Sequence, residues 1–271
     1  MIYRNFGRFE DLEYFELGYA PWGIKDLLWT VFFYKLGDSL IDTGSFKTRK
    51  YIPEFHTDPP TQILLTHFHE DHSGNAAYLK KKYNAEVYAH PLALEKLKHS
   101  FPIQFYEKIM FGKVEPICPN PFPRQLYLGK ESVETEHVPG HSPDHCCFFL
   151  KERGWLFSGD MYVADKIKLW RKSEDLDHQI EGLDRLLELD FDVLLCAHNP
   201  QFTQGKERLR AKREFLYNLR GLVRERAHMS NAEIMKELKM KERYMVKWIT
   251  QSDVSVENLI DAARSGSYKK K

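Results

Sequence analysis

A short apolar run, Gln62-Ile63-Leu64-Leu65-Thr66, passes without a break into His67-Phe68-His69-Glu70-Asp71-His72. The run follows Pro59-Pro60 and has the length and composition of a strand buried on both faces. A strand that ends on so polar a cluster projects it into a crevice, where layered α/β proteins commonly place their sites. Histidines two apart can both turn inward on an extended or tightly turned backbone. Asp71 and His72 then add an oxygen and a nitrogen donor further along. Imidazole and carboxylate together suit zinc, and also iron or manganese. One lone histidine is most simply a packed one, but three with an aspartate at a strand-to-helix turn point to a metal. Glu70 is expected to face solvent.

The chain around this cluster alternates. Glu13 to Asp42 reads as strands, with Leu28-Trp29-Thr30-Val31-Phe32-Phe33-Tyr34 buried and a turn at Gly37-Asp38. Ser73 to Lys82 is expected to be a helix with Ser73 as its N-cap. Glu86 to Ala89 reads as a strand, and Pro91 to Lys98 as a helix with proline in its first turn. Strands resume over 132–138, 146–150 and 155–158, and Val193 to Cys196 is a last buried one. Between them, Ile180, Leu183, Leu186 and Leu187 make a helical apolar stripe. This order predicts a layered α/β fold. Residues 99–126 carry Pro102, Pro116, Pro119, Pro121 and Pro123 among aromatics, so they read either as a lid or binding loop or as a packed surface loop. From Gly205 the text is charged and helical. The expected division is a domain over 1–204 and a helical appendage over 205–271, ending in a solvated Lys269-Lys270-Lys271 tail.

Composition narrows the function classes. A chain of 271 residues, 42% hydrophobic, can bury a sizeable core. Its net charge of +1 provides no global basic field for nucleic acid or an anionic membrane. Cys118, Cys146, Cys147 and Cys196 follow neither a zinc-ribbon nor a disulfide-framework spacing. They read as reduced, mostly buried thiols. With no signal-peptide pattern and no apolar run long enough to span a bilayer, the expected compartment is the cytoplasm.

Further elements carry a resemblance. His67 to His72 matches the H-x-H-x-D-H pattern of the metallo-β-lactamase superfamily. Val138-Pro139-Gly140-His141-Ser142 resembles its Gly-His-Ser/Thr turn, and Phe157-Ser158-Gly159-Asp160 its Ser-Gly-Asp strand end. Ala197-His198-Asn199-Pro200 resembles its last Gly-His-x-Pro element, with alanine replacing glycine, and Leu40-Ile41-Asp42-Thr43-Gly44 its early strand and turn. The likeness spans about residues 28–200. It implies a four-layer αββα sandwich, here with the C-terminal helical appendage. It also implies two metals, zinc or alternatively iron or manganese. His67, His69 and His141 would hold one, Asp71, His72 and His198 the other, and Asp160 would bridge them. A shared hydroxide would then attack an electrophilic carbonyl or phosphorus. Asp71, the acidic ligand near the leaving-group side, would take up a proton, and Tyr162 is a candidate for the substrate oxyanion.

The substrate is less constrained. Dedicated β-lactamases of this superfamily commonly place cysteine where Asp160 stands and lack the histidine at position 72. The pattern is closer to glyoxalase II, acyl-homoserine lactonases and related thioesterases, which implies a small-molecule ester, thioester or lactone. A phosphodiesterase or ribonuclease using the same metals is the alternative. A third reading is a helix-turn-helix over Met229 to Thr250, with Ile234, Leu238, Met245, Val246, Trp248 and Ile249 as its core. A helical cap on the catalytic domain is the preferred account of that segment. His137 reads as a residue orienting a ligand or as a packed strand histidine, and His145 as structural. Asp42 is expected to stabilise its turn. Trp22, Trp29, Phe101, Phe105 and Phe111 are candidates for an apolar acyl site or for ordinary packing.

Overall fold

Two twisted sheets face each other in this computed structural model, which describes residues 1–24, 28–99 and 101–265. The Lys269–Lys271 tail lies outside the described residues. The first sheet contains β1 (Ile2–Phe9), β2 (Leu12–Tyr19), β3 (Trp29–Leu36), β4 (Ser39–Ile41) and β5 (Gln62–Leu64). After α1 (Glu70–Ser73) and α2 (Ala76–Tyr83), β6 (Glu86–Ala89) joins it. α3 (Pro91–Lys98) and α4 (Phe105–Met110) then lead to β7 (Asn120–Pro121) at its edge. The first four strands pair antiparallel, and β4 to β7 pair parallel. The second sheet follows: β8 (Leu126–Leu128), β9 (Glu131–His137), β10 (Cys146–Leu150) and β11 (Trp155–Gly159). After β12 (Trp170–Arg171) and α5 (Leu176–Glu188), β13 (Val193–Cys196) completes it, parallel to β11. The chain ends with α6 (Gly205–Glu225), α7 (Asn231–Glu237), α8 (Tyr244–Ile249), β14 (Val254–Ser255) and α9 (Val256–Ser265).

The alternation of side chains along the strands builds three apolar layers. Between the sheets, Phe32, Tyr34 and Leu64 meet Phe148, Trp155 and Phe157. Behind the first sheet, Phe33, Ile63 and Val87 pack on α2 and α3 through Leu79 and Leu97. Behind the second, Phe149, Leu156 and Leu194 pack on α5, α6 and α9 through Leu183, Leu216 and Leu259. This is the expected αββα sandwich.

Cross-links stitch the two sheets together at one end. Tyr34 donates its hydroxyl to the Cys196 carbonyl (2.6 Å), Phe32 N–H donates to Ala197 O (2.6 Å), and Cys146 N–H donates to Thr66 O (2.8 Å). The ends of β5, β11 and β13 are thereby gathered at a common rim.

Several local expectations need correction. Ser73 does not open a long helix. It closes α1, its hydroxyl donating to the carbonyls of Phe68 (2.7 Å) and His69 (3.0 Å), and α2 starts afresh after Gly74-Asn75. The break holds the metal-motif turn apart from the regular helix. Strand structure also begins earlier than expected, at Ile2. The proline-rich segment 99–126 is not wholly irregular, since α4 forms there under a capping box between Gln104 and Glu107.

The C-terminal segment shares the core behind the second sheet. Lys212 of α6 is buried and donates to Met161 O (2.7 Å) and Gln179 Oε1 (3.0 Å), and β14 pairs with β12. The six residues expected as a helix-turn-helix core are divided. Ile234 packs with α6 and α9, Val246 joins Tyr106 and Phe111, and Trp248 is 82% exposed. Among the described residues no helix is long and apolar enough to cross a membrane.

The inter-sheet layer should dominate stability. Phe157→Ala, which empties a fully buried site packed edge-on against Tyr34, is expected to cost about 3–5 kcal/mol in urea unfolding. A loss within the roughly 0.5 kcal/mol typical of surface substitutions would contradict this packing.

Candidate metal centre

The rim assembles from strand ends. β5 runs into His67 and His69, and α1 carries Asp71 and His72. The turn after β9 presents His141, the end of β11 presents Asp160, and the residues after β13 present His198. Two glycines make the approach possible. A Cβ on Gly159 (φ +47°) would lie 2.7 Å from the His145 ring, and one on Gly140 (φ +132°) 2.6 Å from the Gln179 backbone nitrogen.

All seven side chains converge. Nitrogen atoms of His67, His69 and His141 lie within 4.8 Å of one another, as do donor atoms of Asp71, His72 and His198. Asp160 stands between the two groups. Its Oδ2 is 3.2 Å from His141 Nε2, and its Oδ1 is 3.3 Å from His72 Nε2 and 3.4 Å from His198 Nε2. His69 Nδ1 faces His67 Nε2 at 2.9 Å and His141 Nε2 at 3.0 Å.

A supporting layer orients these rings. His198 Nδ1–H donates to Thr30 O (2.7 Å), so that whenever the ring is neutral Nε2 turns its lone pair toward the centre. His72 Nδ1 donates to Asp42 Oδ2 (2.8 Å), with the same result. Asp42 also accepts from Thr66 N–H (2.9 Å) and from the Thr66 hydroxyl. It sits at φ +61°, a conformation uncommon for aspartate and found at constrained positions. His145 Nε2 accepts the Asp160 backbone N–H (3.0 Å), and burial holds the pKa of this histidine well below the ordinary range. Asp144 ties two loops together, accepting from Phe68 N–H and from the Ser142 hydroxyl, both at 2.8 Å.

The electrostatics divide the cluster. Burial, then the neighbouring His72, His69 and His141, push the pKa of His67 well down, and burial does the same to His69. These rings are neutral donors. Burial also opposes a proton on His72, but Asp160, Asp42 and Asp71 outweigh it and raise its pKa well above normal. His198 is lifted to about 9, Asp160 overcoming the effect of burial. Asp160 is pushed up by burial, yet His198, His72 and His141 hold its pKa well below the carboxylate range. The carboxylates therefore create a field that calls for positive charge.

The residues fit a metal pair. His72 Nε2 and Asp160 Oδ1 are buried without a hydrogen-bond partner, as atoms aimed at a cation would be. The donor set is entirely nitrogen and oxygen, since the Cys196 sulfur instead accepts Asn199 N–H (3.1 Å).

Other expectations fare differently. Glu70 does not face solvent. It is 2% exposed, lies 3.9 Å from Arg171, and burial raises its carboxyl to about 8. Tyr162 does not reach the centre, because its hydroxyl donates to Asp165 (2.7 Å). His137 donates to Pro143 O (2.8 Å) and stacks on His90 at 4.0 Å, which orders the turn carrying His141. Asp42 does more than stabilise a turn. The spacing Asp42–Thr66–His72 gave no signal of this, since their contact is created by the parallel pairing of β4 with β5.

Two cavities adjoin the cluster among the described residues, of about 380 and 420 Å³, sharing His69, His141 and Arg171. Trp29 and Phe111 line the first and Phe101 the second, whereas Trp22 and Phe105 are 76% and 70% exposed. The 99–126 segment thus contributes to both cavities. Glu174 lines the first and is engaged by Gln179 (2.6 Å) and Arg171 N–H (3.1 Å).

Removing an orienting partner should loosen the metals. Asp42→Ala is expected to weaken metal affinity about 10–100-fold, measured by competition with a chromogenic chelator. An unchanged affinity would reduce Asp42 to a turn residue.

The sequence model of the Metallo-beta-lactamase superfamily matches residues 37–198, which contain all seven side chains. A hydroxyacylglutathione hydrolase, GloC, from Haemophilus influenzae is 29% identical over 153 residues, covering 54% of this chain and 72% of its own. An atrochrysone carboxyl ACP thioesterase from Claviceps purpurea is 28% identical over 132 residues, covering 47% of this chain and 34% of its own. The structure of TTHA1623 in a di-iron-bound form superposes with a TM-score of 0.51 at 27% identity, covering 70% of this chain and 96% of that one. With the family pattern spanning more than half the chain and its strand ends meeting at one rim, this protein belongs to the metallo-beta-lactamase superfamily.

Proposed function

We propose that this chain is a two-metal hydrolase of carbonyl esters, thioesters or lactones, with residues 1–204 as catalytic unit and 205–271 as an appendage that completes the substrate cavity. His67, His69 and His141 would hold one metal, Asp71, His72 and His198 the other, and Asp160 both. Zinc is the reading we favour for an all-nitrogen-and-oxygen set, with iron and manganese as the alternatives. Bound there, two divalent cations would polarise the substrate oxygen and lower the pKa of water towards about 7.

The observation that carries the choice of substrate is the wall of the first cavity. Trp29, Phe111, Val163, Leu169 and Val246 give it an apolar side next to the metal cluster. Such a wall accommodates an acyl chain and excludes water from the reacting carbonyl. A nucleic-acid backbone would instead need a run of uncommitted cations. Asp71 opens onto this cavity, and its carboxylate would take up the proton released during attack. The names of the GloC and thioesterase relatives support the same class of reaction.

Metal-loaded protein is expected to cleave members of a panel of aryl esters, S-acyl thioesters and acyl-homoserine lactones. His69→Ala should bind less metal and lose about 10²–10³ in kcat, the scale for removing one preorganised electrostatic stabiliser. Cleavage of bis(p-nitrophenyl) phosphate with no turnover of any carbonyl ester would sink this reading.

A further inference from the structure

A lysine interrupts the buried stripe of α6. Leu209, Leu216, Leu219 and Val223 face the second sheet, and Lys212 stands among them at 2% exposure. The helix lies beyond the matched residues 37–198. A lysine is rarely buried so fully without a carboxylate against it. Lys212 has none within 4.0 Å among the described residues. Its ammonium donates instead to two uncharged oxygens, Met161 O (2.7 Å) and Gln179 Oε1 (3.0 Å). Taking an ammonium out of water is costly, and an apolar side chain would continue the stripe without that cost. Packing therefore gives no reason for a lysine here.

Its two acceptors do, because both lead to the metal cluster. Met161 directly follows Asp160, so one bond holds the loop that presents this carboxylate. The other bond starts a chain of side chains. An ammonium only donates, so the Gln179 amide must turn its oxygen toward Lys212 and its NH2 away. That NH2 donates to Glu174 Oε2 (2.6 Å), while Glu174 Oε1 accepts Arg171 N–H (3.1 Å). Glu174 Oε2 faces His141 Nδ1 at 3.5 Å, on the opposite side of the ring from the Nε2 that looks toward His69 and Asp160. The segment carrying Glu174 and Gln179 is also locked to the turn that carries His141. Asp175 N–H donates to Gly140 O (2.7 Å), and a Cβ on Gly140 would lie 2.6 Å from Gln179 N.

Donation thus runs one way, from Lys212 to Gln179 to Glu174. It leaves Glu174 as an acceptor toward Nδ1 and so favours a His141 ring with its Nε2 lone pair turned inward. Without the ammonium the amide is free to turn over and set its oxygen against the carboxylate, which would drive Glu174 from its place. We propose that Lys212 is a positioning residue of the metal centre, fixing His141 through Gln179 and Glu174 and the Asp160 loop through the Met161 carbonyl. This rests on the two-metal reading above and adds to it a determinant from outside the family pattern.

Zinc affinity, measured by competition with a chromogenic chelator, tests the tie. Lys212→Met keeps most of the buried stem and removes the charge, and is expected to weaken zinc binding about tenfold, the lower end of the range for partners that orient ligands. Lys206→Met removes a comparable bond from the same helix, to Leu189 O (2.6 Å) at the other end of α5 from Glu174, and should bind zinc like wild type. Glu174→Gln should also weaken binding. Its combination with Lys212→Met should fall short of the product of the two single effects, because both interrupt one chain. An affinity in Lys212→Met equal to that of Lys206→Met, or a full product in the double variant, overturns the proposal. If Lys212→Met does not fold, Gln179→Met cuts the same chain, leaves Lys212 on Met161 O, and replaces it in each measurement. If wild type binds no zinc, the two-metal reading fails, and crystal structures of the metal-free wild type and variant decide the tie by themselves. Glu174 displaced from His141 in the variant upholds it, and an unmoved Glu174 refutes it.

Discussion

Concentrated negative charge among largely buried side chains is the constraint around which this molecule is built. Asp42, Asp71 and Asp160 are all buried. Burial would drive a proton onto Asp160, but His198, His72 and His141 beside it hold its pKa well below the carboxylate range, a place that metal ions could equally take. Every neighbouring feature serves this arrangement. Asp42 takes a left-handed backbone so that one carboxylate can accept from both Thr66 and His72. Gly159 gives up a side chain so that His145 can hold the Asp160 backbone. The sheet cross-links fix the rim itself, because a donor set must be placed to within about 0.5 Å to be useful.

Much of this was legible in the sequence, for identifiable reasons. The strand-then-cluster text at 62–72 encodes its own crevice, since a buried strand cannot end in three histidines without exposing them to a cavity. The turns at Gly140 and Gly159 were readable only through their resemblance to the family pattern. What escaped were contacts made between distant strands. Asp42 meets His72 only because β4 and β5 pair in register, and His145 meets Asp160 only because β10 and β11 do. Glu70 was misjudged by rule of position. The motif's variable residue is free in principle, but here α4 and β12 cover it, and Arg171 compensates its charge in part. Likewise Trp248 and Met245 match an apolar helical pattern but are exposed, because α8 buries only a narrow face against α4.

The C-terminal helices are more than a lid laid on a finished domain. Lys212 is buried beneath the metal loop, where burial lowers its pKa to about 8 while Glu174 and Asp160 partly restore it. Its ammonium joins Met161, next to Asp160, to Gln179, which in turn holds Glu174 beside His141. One side chain of α6 thus reaches the surroundings of both metal groups. Removing these helices would expose the apolar layer behind the second sheet and leave the Asp160 loop without this support.

The same geometry explains how one metal site can serve different substrates. The candidate ligands have little freedom to change, because His72 is held by buried Asp42 and the Asp160 backbone by buried His145. The far wall is held differently: Val246 is buried with Tyr106, Met110 and Phe111, whereas Arg243, just before α8, is exposed. The matched stretch brings Phe111, Val163 and Leu169 to the cavity beside the cluster, and the C-terminal segment borders the same space with Arg243, Val246 and Val254.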